Sequence, residues 1–206
     1  MRKTSGIAAL ILIGTVFCGH AATLVFQLNS PNGDMGTSYV FTQSGVQIPA
    51  YSYAITGRRP DLYGKNSGAG ETGLGLTNDR DHEINTSDFV QMDFSDPLAL
   101  HMAAAQFQMG SVQSGEGWAL YGSNTLGAIG TELMTSTSEA IVTVPDWGTY
   151  RYYSWTATAK NVVLGEIVLK NSDVKTTDSA PEPGTMAATG AALIGVSMMI
   201  RRLRRG

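Results

Sequence analysis

Five oxygen-bearing side chains crowd into eleven positions of the chain: Asn78, Asp79, Asp81, Glu83 and Asp88. Carboxylates and amides are hard donors, the set a Ca2+ ion gathers at about 2.3–2.6 Å. The stretch lacks an EF-hand frame. A solvated acidic turn is therefore the alternative, with Asp79 and Asp81 bonding nearby backbone and Arg80 balancing charge. Ca2+ is the one cofactor this composition suggests; otherwise none is expected.

Other chemistry is thinly represented. Of the three histidines, only His82 and His101 lie away from the N-terminal segment, too few for a multi-histidine zinc centre. No Gly-x-Ser-x-Gly elbow and no Gly-x-x-x-x-Gly-Lys-Ser/Thr loop occurs. Asp93 and Glu116 can be nominated as a carboxylate pair for glycoside hydrolysis, but an acidic chain offers such pairs by chance. The expectation is a protein that is not an enzyme.

Aromatic residues suggest binding instead. Trp118, Tyr121, Trp147, Tyr150, Tyr152, Tyr153 and Trp155 gather in the second half of the chain. Rings on a β-sheet face can stack on sugars, or they can fill a core. Core filling is the expectation for Trp118, Tyr153 and Trp155. Trp147 stands in an Asp146-Trp147-Gly148 turn and is the candidate exposed glycan contact.

The elements that must position these residues are short β-prone runs at 23–28, 39–43, 51–56, 89–94, 118–121, 141–144, 150–157 and 162–169. Pro31-Asn32-Gly33-Asp34, the 64–68 stretch, Gly122-Ser123-Asn124 and Asp146-Trp147-Gly148 carry turn chemistry. Residues 98–109 contain Ala103-Ala104-Ala105, yet the alternation of Leu98, Leu100, Met102 and Ala104 favours a strand. The expected fold is all-β, an antiparallel β-sandwich of jelly-roll type.

Both ends read as targeting segments. Arg2 and Lys3 precede an apolar run, and Gly19-His20-Ala21 offers small residues at −3 and −1, predicting a signal peptide over residues 1–21 for the Sec translocon and signal peptidase. The single cysteine, Cys18, would leave with it. At the other end Pro181-Glu182-Pro183 precedes seventeen uncharged residues, 184–200, and then Arg201, Arg202, Arg204 and Arg205. As a helix that segment would rise about 25 Å, and the arginines place its end in the cytoplasm. A permanent single-pass anchor is the alternative to a processed signal. The reading is thus signal peptide 1–21, sandwich 22–170, linker 171–180 and sorting signal 181–206, with a transmembrane helix over 184–200 and a basic tail over 201–206.

The charge of the whole chain is −3, but six of its 14 basic residues and one of its 17 acidic residues lie in the terminal segments. The 22–180 region therefore carries eight bases against sixteen acids, or −8. Nucleic acid is excluded as a partner on that ground.

The C-terminal arrangement resembles the PEP-CTERM signal of exported bacterial proteins. That resemblance implies recognition by an exosortase-type membrane protease, with Pro181, Glu182 and Pro183 as the recognition element and the four arginines as the cytoplasmic stop. It further implies a transient stay in the inner membrane and then a cell-surface or exopolysaccharide-matrix location. A second stretch, Gly73-Leu74-Gly75-Leu76, Asp81-His82-Glu83-Ile84-Asn85 and 88–98, is similar to a block of PEP-CTERM ectodomains with a Gly-Leu-Gly turn and an acidic loop. The functional expectation is a non-catalytic structural ectodomain; the alternatives are a carbohydrate-binding module, calcium-assisted or not, and a secreted hydrolase.

Overall fold

The computed structural model describes residues 23–68, 71–78 and 80–171. The expected signal peptide, the 184–200 helix, the sorting-signal residues and Asp79 lie outside the described residues. Among the described residues no helix is long and apolar enough to cross a membrane.

The chain is almost entirely strand. β1 (Thr23–Gln27), β2 (Gly33–Asp34), β3 (Ser38–Gln43), β4 (Val46–Ala54) and β5 (Leu62–Asn66) come first. β6 (Thr72–Leu76), β7 (Ile84–Asn85) and β8 (Asp88–Asp93) lead to a short helix, α1 (Ser95–Ala99). β9 (Met102–Ser111), β10 (Gly117–Ser123), β11 (Thr131–Ser136), β12 (Val142–Thr143), β13 (Tyr152–Ala159) and β14 (Asn161–Asn171) complete it.

Two antiparallel sheets result. The first runs β12-β9-β14-β6-β5-β2, with β1 and β7 also paired to β14; the second runs β11-β10-β13-β8-β4-β3. Their facing sides interlock through aromatic rings. Phe107 of the first sheet meets Trp118 and Trp155 of the second edge-on, at 5.1 and 5.5 Å between ring centres. Trp118, Tyr153 and Trp155 are fully buried, as their pattern predicts. Among the described residues the buried core runs from Phe26 to Leu169.

Alternation explains most strands. In β4, Val46, Ile48 and Ala50 enter the core while Gln47, Pro49, Tyr51 and Tyr53 point away. β8 alternates in direction, but all six of its residues are buried. Its neighbours on both sides are strands, and the 124–130 loop covers its outer side by bonding Gln91 through Gly127 N–H and Ala128 C=O.

Three expectations are corrected. Residues 98–101 are not strand: Leu98 and Ala99 end α1, where Pro97 sits in the first turn and needs no amide hydrogen, and His101 turns the chain at φ 55° into β9. In the 64–68 stretch, Gly64, Lys65 and Asn66 finish β5 rather than form a turn. The Gly73–Leu76 stretch is likewise strand β6, not a turn. Leu74 and Leu76 are fully buried in the core, and the alternate glycines face outward, where backbone lies directly against them. A Cβ on Gly75 would fall 1.9 Å from the His82 carbonyl oxygen. The expected β1, β3, β8, β10, β12, β13 and β14 segments are strands within a few residues of their predicted limits, whereas β4 begins five residues before the expected start at 51.

Candidate functional site

The acidic loop is held down by a lysine that sequence patterning did not single out. Tyr63 and Lys65 share the outward side of β5, and the loop after β6 folds across them. His82 stacks on Tyr63 with ring centres 4.0 Å apart and planes at 17°. Glu83 pairs with the Lys65 ammonium, and Glu71 pairs with it at 2.9 Å. Lys65 and Glu83 are both buried. Glu71 also accepts from Gln113 Nε2 at 2.7 Å, and the buried Glu116 accepts from the Gln113 amide.

The charges in this cluster are uneven. Burial alone would lower the Lys65 pKa, but bonds to Glu83 and Glu71 hold it above its ordinary value. The Lys65 bond holds Glu71 below the usual carboxylate range. Burial pushes Glu83 up against the opposing pull of Lys65, with the nearby Glu116 and Glu71 charges adding to the rise.

The five oxygen donors proposed from the sequence are dispersed. Glu83 faces Lys65, Asn78 donates its amide to the buried Asp88, Asp81 is exposed, and Asp79 is outside the described residues. Among the described residues no three His, Cys, Asp or Glu side chains converge on a point that could hold a metal. Asp88 Oδ1 is nevertheless buried without a hydrogen-bond partner. The nominated hydrolytic carboxylates each have partners of their own: Glu116 the Gln113 amide, Asp93 the Arg151 guanidinium and the Ser95 amide.

Trp147 is corrected from exposed to half-buried. Its ring stacks on Tyr153 at 5.7 Å, meets Phe94 edge-on at 5.3 Å, and donates its Nε1–H to the Met102 carbonyl at 2.7 Å. A turn tryptophan with an apolar body packs inward when the core rim offers rings and its N–H finds a carbonyl.

The second sheet instead collects aromatics on its outward face. Since Tyr153 and Trp155 enter the core, Tyr152 and Ser154 point out, and β4 and β8 supply Tyr51, Tyr53, Phe89, Gln91 and Asp93 by the same alternation. Strand register places Tyr53 opposite Phe89, Tyr51 opposite Gln91, and Tyr152 opposite Asp93. A further row continues from Gln91 through Ser154 and Tyr121 to Glu132, whose carboxylate accepts from the Tyr121 hydroxyl at 3.1 Å. Tyr51, Tyr53 and Tyr121 are half-buried. Tyr51 and Tyr53 escape a reading of the aromatic cluster because they lie in the first half of the chain, far from it in sequence. Their signal was the period-two alternation of 46–53.

Two arginines flank this row. Arg59 lies over Tyr53 at 4.6 Å from the ring centre, and its guanidinium donates to the Ser52 and Thr37 carbonyls at 2.7 and 3.0 Å. Arg151 lies over Tyr152 at 4.9 Å and grips both Asp93 oxygens, the shortest bond being 2.6 Å. Burial would raise the Asp93 pKa, but these bonds and the Ser95 amide bring it below its ordinary value. A depressed carboxylate stabilises the fold above its unfolded pKa, and that stability is lost as pH falls through the folded value. Asp93→Asn is therefore expected to flatten the loss of thermal stability on acidification between about pH 5 and pH 2. An acid limb unchanged from wild type would show that the Asp93–Arg151 pair contributes nothing to it.

Comparison with protein-family models, curated proteins and solved structures finds no match. The site must be judged on its own chemistry. What it offers is a row of tyrosines interleaved with amide, hydroxyl and guanidinium groups.

Proposed function

We propose that this chain is an exported, non-catalytic surface or matrix protein whose sandwich holds carbohydrate on the outward face of its second sheet. One observation carries the reading: the half-buried Tyr51, Tyr53 and Tyr121 are collected on a single outer face while the tryptophans of the same sheet fill the core. Tyrosine rings give apolar faces for sugar C–H groups, and neighbouring hydroxyl, amide and charged groups orient the sugar hydroxyls.

The fold reading is a jelly roll. β6-β14-β9-β12 in one sheet and β8-β13-β10-β11 in the other form the interleaved order of two Greek keys, with β1 to β5 as additions along one side. The Pro181-Glu182-Pro183 and arginine tail, with the N-terminal leader, supports export and exosortase-type sorting.

Two experiments test the two halves. For the face, residues 22–171 expressed alone should be retarded by at least one polysaccharide in affinity gels. Tyr51→Ala should weaken that retention about tenfold, or ~1.4 kcal/mol. Retention by no polysaccharide would leave only the structural role. For sorting, intact mass of the protein from its native cell should show loss of both termini, and deleting Pro181 to Pro183 should preserve the C-terminal segment. A full-length, inner-membrane species in both cases would make the tail a plain anchor.

A further inference from the structure

We propose that the ligand of the tyrosine face is an acidic polysaccharide, its uronate carboxylate held by Arg59; this rests on the carbohydrate reading above. The region between the terminal segments carries −8, so a general affinity for anions is absent, and positive charge on it is sparse. Two of its eight basic residues, Arg59 and Arg151, nevertheless lie over rings of this one face, and both are exposed.

Arg59 is built for the task. Its Nε–H is fixed on the Ser52 carbonyl and one Nη2 hydrogen on the Thr37 carbonyl, and Tyr53 lies under the guanidinium. The contacts of the Arg59 guanidinium are two backbone carbonyls and the Tyr53 ring, none of them a carboxylate. A guanidinium held in place loses little further freedom when it meets a carboxylate, and its geometry suits a planar anion.

Arg151 acts differently. Bound to both Asp93 oxygens, it neutralises the one carboxylate on β8 that faces the same side as the tyrosines. Without it, Asp93 would repel an incoming uronate. Tyr51, half-buried and two positions from Tyr53 on β4, is the tyrosine of this row that neither arginine covers.

The test compares polygalacturonate and alginate with their carboxyl-esterified forms, using the 22–171 domain in affinity gels. The expected result is retention by at least one polyuronate that falls at least tenfold on esterification. In Arg59→Gln that preference should vanish, with the melting temperature within about 2 °C of wild type. Arg59→Lys, which keeps the charge but loses the fork, should retain part of the preference. Equal retention by acid and ester, or an unchanged preference in Arg59→Gln, would overturn the acidic-ligand inference while leaving the carbohydrate reading intact. Retention by neutral polysaccharides alone would do the same. Failure of every polysaccharide, charged and neutral, would end both.

Discussion

Lys65→Met is expected to destabilise the protein by about 3–5 kcal/mol at neutral pH, the cost of leaving a buried carboxylate without its partner. Lys65 is 4 % exposed and Glu83 3 %, so water can do little to replace the lost ammonium. Methionine keeps much of the apolar stem, which isolates the charge from the packing. The effect has a pH signature. Glu83 already has a raised pKa, chiefly from burial, and losing Lys65 raises it further. A carboxylate raised in the folded state favours folding fully below its unfolded pKa, and that contribution disappears as pH rises through the folded value. The variant should therefore be most damaged above the folded pKa of Glu83 and recover toward wild type in mild acid. Urea unfolding at about pH 7 and about pH 4.5 would show it. Pairing Lys65→Met with Glu83→Leu should recover much of the loss, because an apolar pair no longer buries a charge. Equal stability of Lys65→Met and wild type at neutral pH would mean that the pair does not hold the loop.

Phe107→Ala should cost about 3–5 kcal/mol for a different reason, the loss of packing between the sheets. Phe107 is fully buried and is the ring through which β9 reaches Trp118 and Trp155. Its removal leaves a void bounded by two large rigid rings that cannot both collapse into it. The urea midpoint should fall with little change in slope, and tryptophan emission should shift to longer wavelength as the two indoles gain access to water. A midpoint within about 0.5 kcal/mol of wild type would show that the sheets are held elsewhere.

Much of the fold was legible because a sandwich imposes a period of two on its strands. Where one face is buried and the other wet, as in 39–43, the alternation is visible in the residues themselves, and it extends over 46–50, which the expected 51–56 strand left out. It fails at β6, which reads as a turn because its alternate positions are glycines with backbone directly against them, Leu164 beside Gly73 and His82 beside Gly75; β8 is buried throughout, yet its alternation of Phe89, Gln91 and Asp93 with Val90 and Met92 is legible. The 98–101 segment misleads for a local reason, since an apolar alternation of four residues fits one turn of helix as well as a strand.

The site was legible only in part. The abundance of rings, the scarcity of histidine and the acidic character of 78–88 are all properties of composition and spacing. The chain by itself also settles the −8 charge between the terminal segments and the absence of recognised catalytic motifs. Which carboxylate meets which cation, by contrast, depends on contacts between residues far apart in the chain. Glu83 pairs with Lys65 because Gly75 lets the loop lie on the sheet, and Asp93 pairs with Arg151 across 58 positions. The tyrosine row exists only once β4, β8 and β13 are hydrogen-bonded side by side. Local pattern decides which side of its own strand a residue takes; pairing and register decide its neighbours, and those depend on the whole sandwich closing around its core.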